Sequence, residues 1–331
     1  MARCFLMKSI LAMFSRFVLA IFSRFMLMMF VCVNVFCYAN IASAEEKILI
    51  AVNQFVSHVA LDKANSGLKK ALTDRGILPD RARMIFGNSQ GNITNSVQIS
   101  KHHASLEPAF MVSIGTPSAQ TGLKAKSGKT ILGFLAVTDP AAANLEQKQV
   151  IGVTDNPPIR ELIDITLQVF PELKTVGVIS NAGEVNSQKV IENLEKILAG
   201  HNIALKKAVI TNPSDIKAAM NKLAGSVDLI YIPQDNSVVS ALSHIARLSN
   251  SLNIPLIAND PTLSASGVMI ALGANYFSSG MQLGNMIADL IEGKGVRQNI
   301  QGSDKKELKI NHKIAKMLGV SVPKNIKEGD K

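Results

Sequence analysis

The chain has 331 residues, of which 47% are hydrophobic, and its 35 Lys and Arg against 25 Asp and Glu give a net charge of +10. The basic excess is spread out, with no Arg-rich block and no basic residues interleaved with aromatic ones, which argues against nucleic acid as a partner. The three cysteines, Cys4, Cys32 and Cys37, all lie in the first 44 residues. The rest of the chain therefore has no disulfide, thiolate metal site or cysteine nucleophile.

The first 44 residues have the pattern of a secretory signal peptide. Their only charges are four basic residues, and an apolar run extends from Phe25 to Phe36. Ala42, Ser43 and Ala44 then provide the small residues that a cleavage site needs. We expect residues 1–44 to be removed after Ala44, with an uncleaved N-terminal membrane anchor as the alternative. Cleavage would leave 287 residues with a net charge of +6, enough for two domains of ordinary size.

Short apolar runs alternate with amphipathic segments in the first half of the remaining chain. Residues 47–52 predict a buried strand, and residues 59–75 predict a helix that ends at Gly76. The other segments predicted in this half are the strands 82–86, 110–114 and 130–134 and the helices 92–106 and 118–124.

The alternation starts again after Pro157 and Pro158, which form the strongest breaker in the chain. The segments predicted there are the helices 159–169, 187–198, 214–223 and 237–249 and the strands 175–179, 205–209, 228–232 and 255–258. Apolar strands alternating with helices imply parallel sheets covered on both faces. The sequence therefore predicts an α/β fold with two Rossmann-like lobes.

Polar residues follow nearly every predicted strand, at the ends where folds of this class bind their ligands. Thr116 and Ser118 precede a helix, so their hydroxyls and the free backbone N–H groups could hold an anion such as a carboxylate. Asp235, Asp260 and Glu184 could meet an ammonium group from the other lobe. Caps and turns are the alternative role for such residues. The remaining candidates at these positions are Asn53, Phe55, Asn88, Gln90, Thr138, Asp139, Asn181 and Asn236.

Two other patterns point to different chemistry. Residues 87–91 match the G-x-S-x-G nucleophile elbow of serine hydrolases, with Ser89 as the nucleophile. The preceding residues 80–83 are too charged for the buried central strand that such an elbow requires.

His102 and His103 are adjacent on a predicted helix, so their rings diverge and do not form a metal site. We expect no metal and no cofactor.

Ordered motifs in the loops resemble a known family. They are Gly115-Thr116-Pro117-Ser118-Ala119-Gln120, Val137-Thr138-Asp139-Pro140, residues 181–187 and residues 227–236. The set resembles the ABC-transporter substrate-binding proteins of the tryptophan/tyrosine-binding type, which have the periplasmic binding protein type I fold. The resemblance extends from about Ile48 to Lys294. Ser180 stands where the family commonly has Tyr, and residues 57–59 lack the family's usual acidic residue and Pro.

The resemblance implies a clamp of two lobes. Lobe 1 would comprise residues 45–156 and about 264–300, and lobe 2 residues 157–263 and about 301–331. The chain would cross near 154–158 and return near 261–267, so that residues 276–291 form a helix of lobe 1.

The resemblance also implies roles for the candidate residues. Thr116, Ser118 and Thr138 would bind the carboxylate of an amino acid, and Asp260 or Asp235 its amine. The other residues would line the walls: Asn53, Phe55, His58 and Asn88 in lobe 1, and Asn181 and Glu184 in lobe 2.

By the same resemblance, the protein would be periplasmic and would deliver its ligand to the permease and ATPase subunits of an importer in the inner membrane. A clamp needs no activated nucleophile, so we expect a binding protein and not an enzyme. The alternatives are an exported serine hydrolase that uses Ser89 and a ligand-sensing domain for a signalling partner.

Overall fold

The computed structural model describes residues 13, 21–29 and 47–330. The predicted cleavage site and the three cysteines lie outside the described residues. Residues 21–29 form a helix with exposed apolar side chains. Within the described part of the chain, no helix is both long and apolar enough to span a membrane. The chain forms two compact units, residues 1–47 and residues 48–331, and the second contains both sheets.

The first lobe is built on a six-stranded sheet whose strands are all parallel. Its strands are β1 (Ile48–Gln54), β2 (Ala82–Asn88), β3 (Phe110–Ile114), β4 (Ile131–Val137), β5 (Val150–Thr154) and β11 (Ile300–Gly302). They lie in the order β11-β5-β4-β3-β1-β2. Its helices are α1 (Val59–Asp74), α2 (Ile93–Ser105), α3 (Thr116–Ala125) and α9 (Tyr276–Ile291).

The second lobe is built on a seven-stranded sheet. Its strands are β6 (Thr175–Asn181), β7 (Ala204–Ile210), β8 (Leu229–Ile232), β9 (Leu256–Ala258), β10 (Ile270–Ala274), β12 (Lys306–Ile310) and β13 (Gly329–Asp330). They lie in the order β13-β12-β10-β9-β8-β6-β7, and only the pairs made by β12 are antiparallel. Its helices are α4 (Ile159–Val169), α5 (Val185–Gly200), α6 (Ile216–Leu223), α7 (Asn236–Ser240), α8 (Leu242–Leu252) and α10 (His312–Met317).

The predicted α/β fold with two parallel-stranded lobes is confirmed, and each strand and helix predicted above is present. One predicted helix, 237–249, is divided at Ala241 into α7 and α8. The strand β5 escaped prediction because Gly152 interrupts its short apolar run. The packing of Phe134 accounts for the glycine at position 152, because a Cβ atom there would lie 2.5 Å from the phenyl ring.

The chain passes between the two sheets three times in the region 48–330. It crosses after β5, returns between β10 and α9, and crosses again between β11 and β12. The first crossing falls at the expected residues, 154–158. The return was expected near 261–267, but β10 follows that segment and pairs with β9 and β12 of the second sheet. All five residues of β10 are buried, because the strand lies inside the second sheet between β9 and β12.

Helix α9 packs against α1 with almost no side chains between the two backbones. A Cβ atom at Gly280 of α9 would lie 2.0 Å from the carbonyl oxygen of Ala64 in α1. A Cβ atom at Gly67 of α1 would lie 2.1 Å from the carbonyl oxygen of Phe277 in α9. Only glycine allows this approach, because the atoms in the way belong to rigid helical backbone. The contact fixes α9, and Tyr276 at its first turn, onto the first lobe.

We therefore expect Gly280→Ala to lower the free energy of unfolding by about 2–3 kcal/mol, as overpacking in a rigid contact does. Gly200→Ala is the matched control. It lies at the exposed end of α5, and a Cβ atom there would meet nothing within 4 Å. Urea unfolding followed by circular dichroism measures both variants. Equal stability of the two would contradict this account of the α1–α9 contact.

Candidate functional site

A cavity lies between the two lobes, at the carboxyl ends of both sets of strands. The volume left between its walls is about 20 Å³, enough for about one water molecule. The lobes are therefore closed on each other. The first lobe contributes His58, Leu61, Ala136, Thr138, Asp155 and Tyr276, and the second contributes Asn186, Gln234, Asp235, Asn236, Val239 and Asp260.

Asp155 lies directly after β5, where the chain first leaves the first lobe. Thr138 Oγ1 donates to its Oδ1 at 3.0 Å, and the Tyr276 hydroxyl donates to its Oδ2 at 2.8 Å. From the second lobe, Gln234 Nε2 donates to the backbone oxygen of Asp155 at 2.8 Å. Burial raises the pKa of the Asp155 carboxyl, and the hydrogen bonds from Tyr276 and Thr138 oppose that rise. Among the described residues, no Lys or Arg forms an ion pair with this carboxylate, although it is well hydrogen-bonded.

Asp260 lies after β9 and faces the cavity from the second lobe. Its Oδ1 accepts hydrogen bonds from the backbone N–H and the hydroxyl of Thr262, at 2.9 Å and 2.7 Å. Burial raises the pKa of Asp260 to about 6, the bonds from Thr262 lower it, and repulsion from Asp155 raises it. The charge of Lys63 acts in the opposite sense and lowers the pKa of Asp260.

Two further acids, Glu184 and Asp235, hold the short helix α7. Both oxygens of Glu184 accept from the first residues of that helix, namely from the backbone N–H groups of Asn236 and Ser237 and from their side chains, all at 2.8–2.9 Å. Asp235 is the N-cap of α7 and accepts from Val238 N at 3.1 Å. Burial, followed by repulsion from Glu184, raises the pKa of Asp235 to about 7. Both acids are thus occupied with the protein's own donors.

Several buried polar atoms around the cavity lack a hydrogen-bond partner. They include Asn186 Oδ1 and Gln234 Oε1, both acceptors. Asn186 Nδ2 donates to Glu184 Oε2 and to the backbone oxygen of Gln234, which leaves its Oδ1 free for the cavity. Unpaired buried acceptors are costly, so these atoms point to a ligand that donates hydrogen bonds.

His58 and Thr116 also carry unpartnered atoms, Nδ1 and Oγ1 respectively. His58 Nε2 lies 3.4 Å from Asn236 Oδ1, which joins the two lobes. Burial lowers the pKa of His58, and this favours the neutral imidazole. Thr116 is the first residue of the ten-residue helix α3. Among the described residues that line the cavity, none is a Lys or an Arg.

Five of the predicted site residues meet at this cavity, and nine do not line it. Those that meet are His58, Thr138, Asp235, Asn236 and Asp260, and those that do not are Asn53, Phe55, Asn88, Gln90, Thr116, Ser118, Asp139, Asn181 and Glu184. Asn53 and Ser118 are buried inside the first lobe, where Ser96 bonds to both of them. Phe55 is buried beside Gly115.

The other residues outside the cavity make local contacts. Asn88 and Asp139 accept backbone N–H groups in turns, from Gln90 and Ala142. Asn181 bonds to Ser237 and to the backbone of Gly183. These contacts are the cap and turn roles that the sequence left open for such residues.

The sequence did not single out four residues of the cavity that carry much of its chemistry: Asp155, Asn186, Gln234 and Tyr276. Asn186 and Gln234 lie within the loop motifs that carried the family resemblance, so that signal was present. Asp155 follows a strand that was not predicted, and Tyr276 reaches the site only because α9 returns to the first lobe.

The backbone of the cavity wall is itself strained at one position. Ala136 has a φ of 53°, in the left-handed region that a non-glycine residue rarely adopts. It forms a bulge in β4, where the pairing with β5 shifts between Leu135 and Val137. Bulges of this kind re-aim side chains next to functional sites. Here the bulge immediately precedes the turn that carries Thr138.

The environment of Ser89 does not suit a nucleophile. Its side chain is fully buried, and its hydroxyl donates to Asn53 Oδ1 at 2.8 Å. The preceding strand, β2, lies at the edge of the sheet, whereas the elbow of a hydrolase follows a central strand. Nothing in this geometry favours hydrolysis.

Comparison with known proteins gives a consistent family. The family model described as "ABC transporter substrate binding protein" matches residues 49–329. A protein named "Tyrosine-binding protein" from Clostridioides difficile (strain R20291) is 30% identical over 277 residues, which cover 81% of this chain and 80% of that protein.

Two solved structures place the fold in the same group. A domain from Streptococcus pneumonia in complex with L-Trp is 25% identical and covers 84% of this chain and 97% of its own, with a TM-score of 0.80. The ligand-free, open structure of a substrate-binding protein with adhesive properties from Clostridium difficile is 28% identical with the same coverages and a TM-score of 0.65. The chain therefore belongs to the ABC transporter substrate-binding proteins and has the periplasmic binding protein type I fold.

Proposed function

We propose that this chain is the exported solute-binding component of an ABC importer and that it closes its two lobes on an amino acid. The observation that carries the proposal is the cavity itself, whose described lining combines buried carboxylates from both lobes with unpaired acceptors and contains no Lys or Arg. Such a lining is complementary to an ammonium group. The permease and ATPase partners, the periplasmic location and the cleavage of residues 1–44 are parts of the same proposal.

The arrangement of the site suggests how the amino acid would lie. Its ammonium group would contact Asp260 and the free acceptors of Asn186 and Gln234. Of the three residues predicted to bind its carboxylate, Thr116, Ser118 and Thr138, only Thr138 lines the cavity. The Thr138 hydroxyl donates to Asp155, so its oxygen is held in place at the cavity wall.

The relatives favour an aromatic amino acid as the ligand. One is named for tyrosine, and another was solved with L-Trp bound. Tyr276 supplies an aromatic ring to the cavity wall. The aliphatic side chains Leu61 and Val239 give the remaining apolar lining.

Closure around the ligand is supported by the comparison of overall shape. The L-Trp complex superposes better on this chain than the ligand-free, open structure, with TM-scores of 0.80 and 0.65. The identities, 25% and 28%, are too similar to account for that difference. The small cavity agrees with a closed arrangement, in which an amino acid would enter only after the lobes separate.

Isothermal calorimetry of the purified protein against the twenty common amino acids tests the proposal. We expect binding of tyrosine, tryptophan or phenylalanine with a dissociation constant in the micromolar range or below, because a closed cleft buries most of the ligand. Absence of binding by every amino acid would contradict the proposal.

We expect Asp260→Asn to weaken amino-acid binding by about 10- to 100-fold, since hydrogen bonds to a charged group contribute about 1.5–3 kcal/mol. The amide can still accept from Thr262, so the local fold is kept. Asp80→Asn is the control, because Asp80 is exposed and does not line the cavity. The prediction fails if the two variants bind the amino acid equally well.

Binding should also weaken in acid. Asp260 has a raised pKa of about 6, and its ionised form is the one that attracts the ammonium group. Protonation competes with the ligand below that pKa, so affinity should fall about tenfold between pH 7.5 and pH 5. The raised pKa of Asp155 favours the same loss of affinity in acid, whereas the charge of Lys63 lowers the pKa of Asp260. Titrations at both pH values measure the change, and an affinity that rises toward pH 5 would refute the assignment.

A further inference from the structure

His58 extends from the first lobe to the second at the start of α1. It is the N-cap residue of that helix, and it lines the cavity together with Leu61. Its Nε2 lies 3.4 Å from Oδ1 of Asn236, the first residue of α7. An imidazole nitrogen can donate or accept a hydrogen bond, so the direction of this bond decides what the other ring nitrogen can do.

The bonds of Asn236 fix that direction. Glu184 Oε2 accepts from the Nδ2 and the backbone N–H of Asn236, and Oε1 accepts from the backbone N–H and the hydroxyl of Ser237. Both carboxylate oxygens therefore act as acceptors, which requires the amide nitrogen of Asn236 to face Glu184. The amide oxygen then faces His58. Because that oxygen can only accept, Nε2 of His58 carries the hydrogen.

The other ring nitrogen of His58, Nδ1, is consequently a bare acceptor. A neutral imidazole has one N–H group, and burial lowers the pKa of His58, which keeps the ring neutral. Although the residue as a whole is partly exposed, its Nδ1 is buried and has no hydrogen-bond partner among the described residues. A buried acceptor without a partner is costly, so Nδ1 points to a donor that the ligand supplies.

The neighbours of His58 in the cavity suit an aromatic side chain. Leu61 and Val239 give this wall an apolar surface. Gly115 approaches the same place, since a Cβ atom there would lie 3.6 Å from Leu61 and 3.7 Å from Asn236 Oδ1. These contacts combine an apolar wall with one neutral acceptor.

The chemistry of an amino acid leaves one kind of donor for this acceptor. Under the proposed function, the ammonium group lies at Asp260 and the free acceptors of Asn186 and Gln234, and a carboxylate attracts an ammonium group more strongly than a neutral imidazole does. The ligand's carboxylate has no hydrogen to donate. The remaining donor of an aromatic amino acid is in its side chain, as the O–H of a phenol or the N–H of an indole.

We propose that His58 determines the specificity of the site by accepting, at Nδ1, a hydrogen bond from the side chain of the ligand. The site therefore selects tyrosine or tryptophan and discriminates against phenylalanine. Asn236 is the positioning residue, because its bond to Nε2 sets the tautomer. This inference rests on the proposed function and narrows its ligand class to aromatic amino acids whose side chain carries a donor.

Two pairs of compounds test the selection. Tyrosine and phenylalanine differ by the phenolic hydroxyl, and tryptophan and 1-methyltryptophan differ by the indole N–H. Calorimetry gives the ratio of affinities within each pair. We expect the donor-bearing member of a pair that binds to be favoured by about 10- to 100-fold, because its analogue leaves a buried acceptor unpaired.

Variants of His58 assign the selection to one ring nitrogen. In His58→Gln the amide nitrogen can replace Nε2 as donor to Asn236, but the position of Nδ1 is left without an acceptor. The affinity ratio should then fall to about threefold or less. In His58→Asn the amide oxygen can replace Nδ1, but the side chain is too short to reach Asn236. Binding of both members should weaken while the ratio stays near its wild-type value.

His102→Gln is the matched control, because His102 is exposed and does not line the cavity. Its ratio should equal that of the wild type. The inference is overturned if His58→Gln keeps the wild-type ratio. Loss of the ratio in both His58 variants also overturns the assignment to Nδ1.

Nitrogen-15 NMR of the wild-type protein with labelled histidine gives a readout that does not depend on how a variant folds. The signal of a bare ring nitrogen shifts when that nitrogen accepts a hydrogen bond. We expect the Nδ1 signal of His58 to shift when tyrosine or tryptophan binds and to stay in place with phenylalanine. A signal that responds equally to all three ligands contradicts the inference.

The outcomes separate this inference from the proposed function. Equal affinities within each pair overturn the inference and leave the proposed function standing. Binding of an amino acid other than these four compounds, with none of the four bound, does the same. Failure of every amino acid to bind counts against both.

Discussion

Burying a carboxylate costs free energy, and the cavity between the lobes is lined by two buried acids, Asp155 and Asp260, with no Lys or Arg among its described lining residues. A protein that served only stability would not keep such a pair, because apolar side chains in their place would be more stable. Each acid belongs to a different lobe, so a positive group bound between them would contact both lobes. The requirement for a positive charge thus connects recognition of the ligand with the conformation of the protein.

The fold brings the two acids together through simple geometry. Parallel strands direct their carboxyl ends to one edge of each sheet, and the two edges face each other across the cleft. The glycine-mediated contact between α1 and α9 fixes Tyr276 against Asp155, while the bulge at Ala136 precedes the turn carrying Thr138. Asp155 is therefore held in place by hydrogen bonds within the first lobe.

Much of the fold follows from the sequence because the periodicity of the apolar residues is a local property. The alternation of buried strands and amphipathic helices, with a break at Pro157 and Pro158, predicts two parallel-stranded lobes. The sheet to which a short strand belongs is not local. The segment Ile270–Ala274 looks the same in either lobe, and only its pairing with β9 and β12 assigns it to the second.

The candidate site was less predictable for a related reason. Asn53, Ser118 and Glu184 have the polar chemistry and the strand-end positions of ligand-binding residues, but the fold uses them to bond to its own α2 and α7. Whether a polar group meets the protein or the ligand depends on neighbours that are distant in sequence. Asp155 was missed for the opposite reason, since its importance comes from the approach of Asp260, more than a hundred residues further along the chain.

The central claim is that an ammonium group lies between the two lobes, and a crystal structure of the protein with tyrosine bound tests it most directly. The account predicts that the ligand nitrogen lies within hydrogen-bonding distance, about 3 Å, of the Asp260 carboxylate. A complex in which the nitrogen lies away from Asp260, or in which the ligand's carboxylate takes that position, would contradict it.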